Sequence, residues 1–508
     1  MGLDLKPELV RFRELIAEQL GLQFEDAKLG FLEEVLRRQV AATHFDEDEY
    51  LRWLARPHAV SELGQLAQEL TVAETYFFRN SAQFRALRDI VLPDRIHAAG
   101  GKLRILSAGC ATGEEAYTIA MHLRDYAGLE GWDARVSAVD VSPNVLERAK
   151  RARYSAWALR ETPDSARERW FTPVGKEWDL SNEVKSLVDF EQHNITADGE
   201  ALWAPERYDV VFCRNVIMYF TPDKITKVVE RIARSLKPGG YLFLGHAETL
   251  RGLTQRFHLC HTHDTFYYQR KSGPVPAATR FAPNGTLPNS VDVSSFVDTE
   301  TSWVETIQKA SARIQALSAK RTTSTAETNT APRVRPPMRT WDMHSAIDLL
   351  ARERFSEALA VIESFPPEAA EDPDVLLLQA VLLTHSGRTA VAEQVCARLL
   401  AMDELNAGAH YVLALCHEGS GNTAGAVDHD EAAAYLDPSF AMPRLHLGLL
   451  AKKRGDRESA RRELTQALAL LQREDPPRLL LFGGGFSRDA LVALCQAELR
   501  ATGESTDD

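Results

Sequence analysis

At 508 residues with 44% hydrophobic and 26% charged side chains, the chain carries enough apolar material for packed cores and too much length for one of them. Wholesale disorder and a single-domain architecture are both excluded. A formal net charge of −13 argues against nucleic acid as the main partner, and no apolar run approaches the ~20 residues that membrane insertion needs.

The opening MGLDLKPELV lacks the basic-then-apolar pattern of a signal peptide. Cys110, Cys213, Cys260, Cys396, Cys416 and Cys495 form no C-x-x-C pair, so free thiols in a reducing, cytoplasmic setting are expected. Residues 8 to 70 repeat Leu, Phe, Val and Ile at three- and four-residue steps, as in Glu8 to Gln19 and Phe31 to Val40. That spacing predicts a small all-α domain over 1–85. It ends in Thr71 to Asn80, TVAETYFFRN. On a helix Thr75 and Arg79 share a face, and Tyr76, Phe77 and Phe78 bury the segment against the neighbouring domain. For Arg79 a surface ion pair is the plain alternative.

Between Gly100 and Arg270 apolar strands alternate with helices, in LRILSAG, ARVSAVDVS, LVDFEQHNI, YDVVFCRNV and YLFLGHAE. The pattern predicts an α/β doubly wound domain with a mostly parallel sheet over 86–270. In LKPGGYLFL, Leu236 to Leu244, it predicts a helix end, a Pro-Gly-Gly turn and a strand, and Thr265 to Gln269 is the last strand. Arg104 to Ala120, RILSAGCATGEEAYTIA, is the most informative stretch. Gly109 and Gly113 let a turn bring its backbone close to a ligand at a helix N-terminus. Glu114 and Glu115 there repel a pyrophosphate and attract a cation, such as the ammonium or sulfonium of S-adenosylmethionine.

Asp140 ends the second strand, where an acidic side chain accepts ribose hydroxyls; Ser142 is the better helix cap. Asn194 follows the third strand and suits an adenine contact or an ordinary turn. In DVVFCRNVIMYF, Asn215 and Tyr219 fall beyond a strand's C-terminal end, where a substrate meets a cofactor. A core aromatic is the alternative for Tyr219. HLCHTHD, with His258, Cys260, His261 and His263, has no second ligand cluster, so no metal is expected.

Residues 271–338 are rich in Ser, Thr, Pro, Asn and Ala, which predicts a flexible linker, with some periodicity from Trp303 to Leu317. Beyond it Gly387, Gly421 and Gly455 recur every 34 residues, each followed by Ala392, Ala426 and Ala460, and Ala358 precedes Ala392 by the same step. Ala380, Ala414 and Gly448 hold the matching small site of the preceding helix, and Asp437-Pro438 closes one repeat. This is a tetratricopeptide pattern, expected over 339–474. A capping helix, Leu479 to Leu499, and a tail complete 475–508.

Together TYFFRN, SAGCATGEEAYTIA, DVSPNVLERAK, FCRNVIMYF and LKPGGYLFLGHAET closely resemble the chemotaxis receptor methyltransferases, the CheR family, over roughly residues 8 to 270. The repeats resemble the branch of that family that carries tetratricopeptides. The resemblance implies a class I S-adenosylmethionine methyltransferase that converts chemoreceptor glutamates into glutamyl methyl esters. It places cofactor contacts on Thr75, Arg79, Glu115, Asp140, Asn194, Ile195, Asn215 and Val216, beside the Gly109 turn. It also places Arg79 and Tyr219 near the reacting methyl. One departure is Ala73, where many relatives have Asn; Glu74 is a candidate substitute. The resemblance implies receptor docking on the helical domain, for which Lys28, Arg37 and Arg38 are suited, as they are to a solvated face. The repeat groove is expected to take a protein or peptide partner. Rival readings are a methyltransferase for another protein or a small molecule, and a repeat scaffold that senses cofactor without turnover.

Overall fold

The computed structural model describes residues 6–272 and 343–503, apart from 57, 58, 72, 73, 99, 198, 200, 247, 353 and 485. Ala73 and the stretch Trp303 to Leu317 lie outside them. The chain divides into two compact units, Met1–Phe281 and Ala282–Asp508.

In the first unit four helices, α1 (Pro7–Gln19), α2 (Leu29–Ala41), α3 (Glu47–Leu54) and α4 (Val60–Leu70), precede a sheet. Their three- and four-residue apolar steps become buried stripes, Leu9, Phe12, Leu15 and Ile16 on α1 and Leu32, Val35 and Leu36 on α2. The sheet has seven strands: β1 (Lys102–Ala108), β2 (Asp133–Asp140), β6 (Val188–Gln192), β7 (Tyr208–Cys213), β8 (Leu236–Leu244), β9 (Phe257–Thr262) and β10 (Thr265–Arg270), in the order β6-β2-β1-β7-β8-β10-β9. Five run parallel, from β6 to β8, and the β9–β10 hairpin closes the edge antiparallel. Because β1 pairs with β2 on one side and β7 on the other, the order reverses there, and the crevice at its C-terminal end is the natural ligand position. Strand β7 is buried at every residue, as a parallel strand covered on both faces must be.

Three local expectations change. TYFFRN is not helical: Phe78 and Asn80 take φ of 60° and 63°, which breaks helical geometry between Thr75 and the following helix. Phe77 instead donates its N–H to the Ala158 carbonyl at 3.0 Å and packs edge-on to Tyr154 and Phe171. The Pro-Gly-Gly turn is a bulge inside one continuous strand, with the register shifting between Tyr208 and Val210 opposite Gly239 at φ 68°. A second, three-stranded antiparallel sheet adds to the expected architecture; β3 (Arg153–Ser155), β5 (Glu177–Leu180) and β4 (Phe171–Val174) form it in that order.

In the second unit the paired helices repeat as the 34-residue spacing predicts. First helices begin at Pro373, Ala407 and Ala441, and second helices at Thr389, Thr423 and Arg457. Gly387, Gly421 and Gly455 sit in the turns at φ of 72°, 80° and 78°, a conformation that favours glycine. A Cβ on Gly448 would lie 2.7 Å from Leu464, so the helix crossing requires the smallest residue. A shorter pair, His344–Ala351 and Phe355–Glu363, precedes these. The expected single capping helix is split into Pro476–Phe482 and Arg488–Gly503, because Gly484 at φ 65° interrupts it.

Candidate active site

The turn after β1 builds the floor of the site. Gly109, at φ 78°, donates its N–H to the Val139 carbonyl, and a Cβ there would lie 2.5 Å from the Val216 side chain. Gly113, at φ 92°, caps the helix Glu114–Asp125, and its Cβ would meet Ala149 at 3.0 Å. The two acidic residues that open this helix diverge. Glu114 is buried and accepts from the Thr112 hydroxyl at 2.7 Å. Glu115 accepts from Ser107 at 2.7 Å and pairs with Arg214 at 3.3 Å on the wall of a polar pocket. Burial raises both carboxyls above their ordinary values, and Arg214 opposes that rise at Glu115.

Two pockets meet at this turn. The first is mostly apolar, and Asp140, Asn194, Ile195, Asn215 and Val216 line it. Asp140 Oδ2 accepts the Ala111 N–H at 3.0 Å and Oδ1 accepts the Ser142 N–H at 2.9 Å. Each oxygen keeps a lone pair for a further donor such as a ribose hydroxyl. Burial raises this carboxyl, and the backbone donors pull it back. Asn194 is committed within the protein: its amide donates to the Gln19 carbonyl at 2.8 Å, and its oxygen accepts from Thr196. What it fixes is the roof, because Leu20, Leu22, Ala67, Gln68 and Thr71 from the helical region cover this pocket. Thr221 N–H to Gly21 O and Gln23 N–H to Tyr219 O, both 2.8 Å, hold the roof to the loop after β7. Ser142 stands at the helix start that follows Asp140 but forms no side-chain cap there. Its hydroxyl and the His193 Nε2 are buried, line the pocket and have no protein partner among the described residues. Together with the spare lone pairs of Asp140, they fit a polar nucleoside-bearing cofactor.

The second pocket is mostly polar and is lined by Glu74, Thr75, Tyr76, Arg79, Glu115, Arg214, Met218 and Tyr219. Gly109, Ala111, Asn215 and Tyr219 border both pockets. Arg79 donates to the Glu74 carbonyl at 2.8 Å and lies 5.7 Å from the Tyr76 ring centre. Arg214, 8% exposed, donates to the Arg79 carbonyl at 2.6 Å and faces the Phe84 ring. Burial lowers its pKa, and Glu115 opposes that shift.

Sequence reasoning missed the group that shapes this region. Glu248, 3% exposed, accepts N–H groups from Asn215 and Gly245 at 2.7 Å, Val216 at 2.8 Å and Met218 at 3.3 Å. It thereby holds Asn215 at φ 59°, a strained value that presents the loop to both pockets. The only signal was the acidic residue that closes YLFLGHAE, four positions beyond the strand end at Leu244. Of the histidine-rich hairpin, His261 stacks on Phe266 and His263 lies 3.1 Å from Asp89.

A family model described as CheR methyltransferase, SAM binding domain, matches residues 73–266. A probable biofilm formation methyltransferase, WspC, of Pseudomonas aeruginosa is 30% identical over 459 residues, covering 89% of this chain and 96% of that protein. The chain belongs to the CheR methyltransferase family. A chemotaxis protein methyltransferase of Vibrio cholerae is 32% identical over 52% of this chain and 94% of its own length. The WspC of Pseudomonas putida is 29% identical, covering 89% of this chain and 96% of that protein. As a CheR-family member the protein is an S-adenosylmethionine-dependent methyltransferase of chemotaxis and biofilm signalling, grouped with the protein-glutamate methyltransferases. No helix among the described residues is long and apolar enough to cross a membrane.

Proposed function

We propose that the protein methylates glutamate side chains of chemoreceptor-type proteins, giving glutamyl methyl esters and S-adenosylhomocysteine. The observation that carries this reading is the junction at Gly109, Ala111, Asn215 and Tyr219, with a nucleoside-type pocket on one side and a pocket holding Arg79 and Arg214 on the other. Bound S-adenosylmethionine supplies an electrophilic methyl group on a sulfonium. A glutamate acceptor, with a pKa of about 4.3, is already ionised at pH 7. No general base is therefore needed, and the residues have to align the reactants and exclude water.

In this reading Asp140, Ile195, and Asn215 with Val216 hold the adenosine end, Asn194 holds the roof over it through Gln19, and Glu115 matches the cationic end. Thr75 and Arg79 close over the cofactor. Arg79 also orients the acceptor carboxylate and keeps it ionised against desolvation, while Tyr219 hydrogen-bonds beside it. Leu20 and Leu22 give residues 1–85 a second role, as roof of the cofactor pocket in addition to receptor docking. Residues 86–270 are the catalytic domain, 271–338 the linker, 339–474 the repeats and 475–508 the cap and tail. The repeat groove takes a protein or peptide partner, and the protein works in the cytoplasm on receptor signalling domains. Mass spectrometry of receptor fragments incubated with enzyme and cofactor tests the reading. The expected product is a glutamyl residue one methylene heavier; a methylated lysine, arginine or small molecule would contradict it.

A further inference from the structure

The turn that follows β3 carries the most exposed large hydrophobic side chain among the described residues, Trp157 at 67%. It is held rather than loose. The Arg160 guanidinium lies 4.1 Å from the Trp157 ring centre and 3.6 Å from the Tyr76 ring centre, and it donates to the Trp157 carbonyl at 2.9 Å. The turn is fixed to TYFFRN by the Phe77 N–H to Ala158 O bond. Tyr76 in turn lines the polar pocket and faces Arg79 at 5.7 Å. A continuous stack, Trp157–Arg160–Tyr76–Arg79, thus leads from open surface to the pocket assigned to the methyl acceptor. Arg160, with 23% of its side chain exposed, meets Glu74 at 3.7 Å, and Glu74 is itself 64% exposed, so this solvent-screened pair is weak enough to exchange for an incoming acidic group.

We propose that Trp157 and Arg160 form the platform on which the acceptor polypeptide rests, with Trp157 under an apolar side chain and Arg160 facing an acidic residue that flanks the modified glutamate. The inference rests on the glutamate reading and deepens it. Three observations support this occupant. The stack continues the pocket that holds Arg79 and Glu115, whereas the apolar pocket lies across the Gly109–Asn215 junction. The Arg160 guanidinium, only loosely paired with Glu74 at 3.7 Å, offers a cation beside the tryptophan. Pre-stacked Trp and Arg lose little conformational freedom on binding, and both types are enriched among the residues that carry interface binding energy.

The test is steady-state transfer of tritium from labelled S-adenosylmethionine to purified chemoreceptor cytoplasmic fragments by the full-length protein, alongside calorimetric titration with S-adenosylhomocysteine. Trp157→Ala and Arg160→Ala are each expected to raise receptor KM about tenfold, with kcat and cofactor affinity within about twofold of wild type. Arg160→Lys, which keeps the cation, is expected to recover part of that loss. A receptor KM unchanged in both alanine variants overturns the platform. Cofactor affinity falling in step with KM also overturns it, because the stack would then be only a prop for the site. Total tritium in the receptor scores the platform, and the fraction released as methanol by base scores the glutamyl ester separately. A platform that fails on an ester-forming enzyme is therefore distinguishable from an enzyme that forms no ester.

Discussion

Glu248→Gln keeps the side-chain volume and replaces one carboxylate oxygen with an amide NH2. Whichever way the amide turns, its donors face either the Asn215 and Gly245 N–H groups or those of Val216 and Met218. Two hydrogen bonds to a charged acceptor are lost and two donor–donor contacts replace them. At about 1.5–3 kcal/mol for each such bond, the loss is about 3–6 kcal/mol. For a unit of this size that lowers the melting temperature by about 5–10 °C. Six of the eight tryptophans precede Phe281, so intrinsic fluorescence during heating follows the catalytic unit. Asn215, Val216 and Tyr219 lose their anchor in the same variant, and S-adenosylhomocysteine affinity measured by calorimetry is expected to fall at least about tenfold. A variant that melts and binds as wild type does would refute the role assigned to this carboxylate.

Arg79→Ala is expected to lose methyl transfer to receptor far more than cofactor affinity; wild-type turnover would remove Arg79 from the mechanism. Glu115→Gln is expected to weaken S-adenosylmethionine binding and Glu114→Gln to matter less, with isothermal titration as the check; the reverse order would undo the assignment. Burial raises Glu115 and Asp140 in the folded protein, so the native state binds extra protons above the unfolded values of about 4.3 and 3.9. The stabilisation from those protons is present below the unfolded values and is lost as pH rises through the folded ones. A cationic cofactor favours the ionised form, so its affinity is expected to rise with pH over that window and binding to release protons. Calorimetry in buffers of different ionisation enthalpy reads the release directly, and proton uptake would contradict it. Gly109→Ala sets a side chain at φ 78° and 2.5 Å from Val216 and is expected to abolish cofactor binding; retained affinity in the calorimeter would show that the loop gives way.

The parts of the fold written into single periods were legible. Alternation and burial located β1, β2, β6, β7 and β8, and the 34-residue recurrence of turn glycines and crossing alanines located the helix pairs. Residue types at strand ends brought Asp140, Asn215, Glu115 and Tyr219 to two adjoining pockets. What was not legible depended on contacts distant in sequence. TYFFRN has the composition of a helix, and its left-handed residues are imposed by Phe77 seating between Tyr154 and Phe171. Asn194 reads as a ligand contact or a turn residue, and nothing local states that its amide reaches a carbonyl 175 residues earlier. Glu248 lies inside the motif LKPGGYLFLGHAET, but nothing local states its role, because its four donors come from two separate strand ends. The Leu20 and Leu22 roof was hidden for the same reason, since an amphipathic helix does not state which face its C-terminal turn will cover.

Whether Arg79, Tyr219 and the adjoining cofactor pocket make an ester on a receptor carboxylate can be read from the chemistry of the product. The protein is incubated with tritiated S-adenosylmethionine and receptor cytoplasmic fragments, the receptor is treated with mild alkali, and volatile methanol is captured. The expected result is label in the receptor that base releases as methanol, and almost none with Arg79→Ala. Label that stays on the receptor through alkali would mean N-methylation and would contradict ester formation.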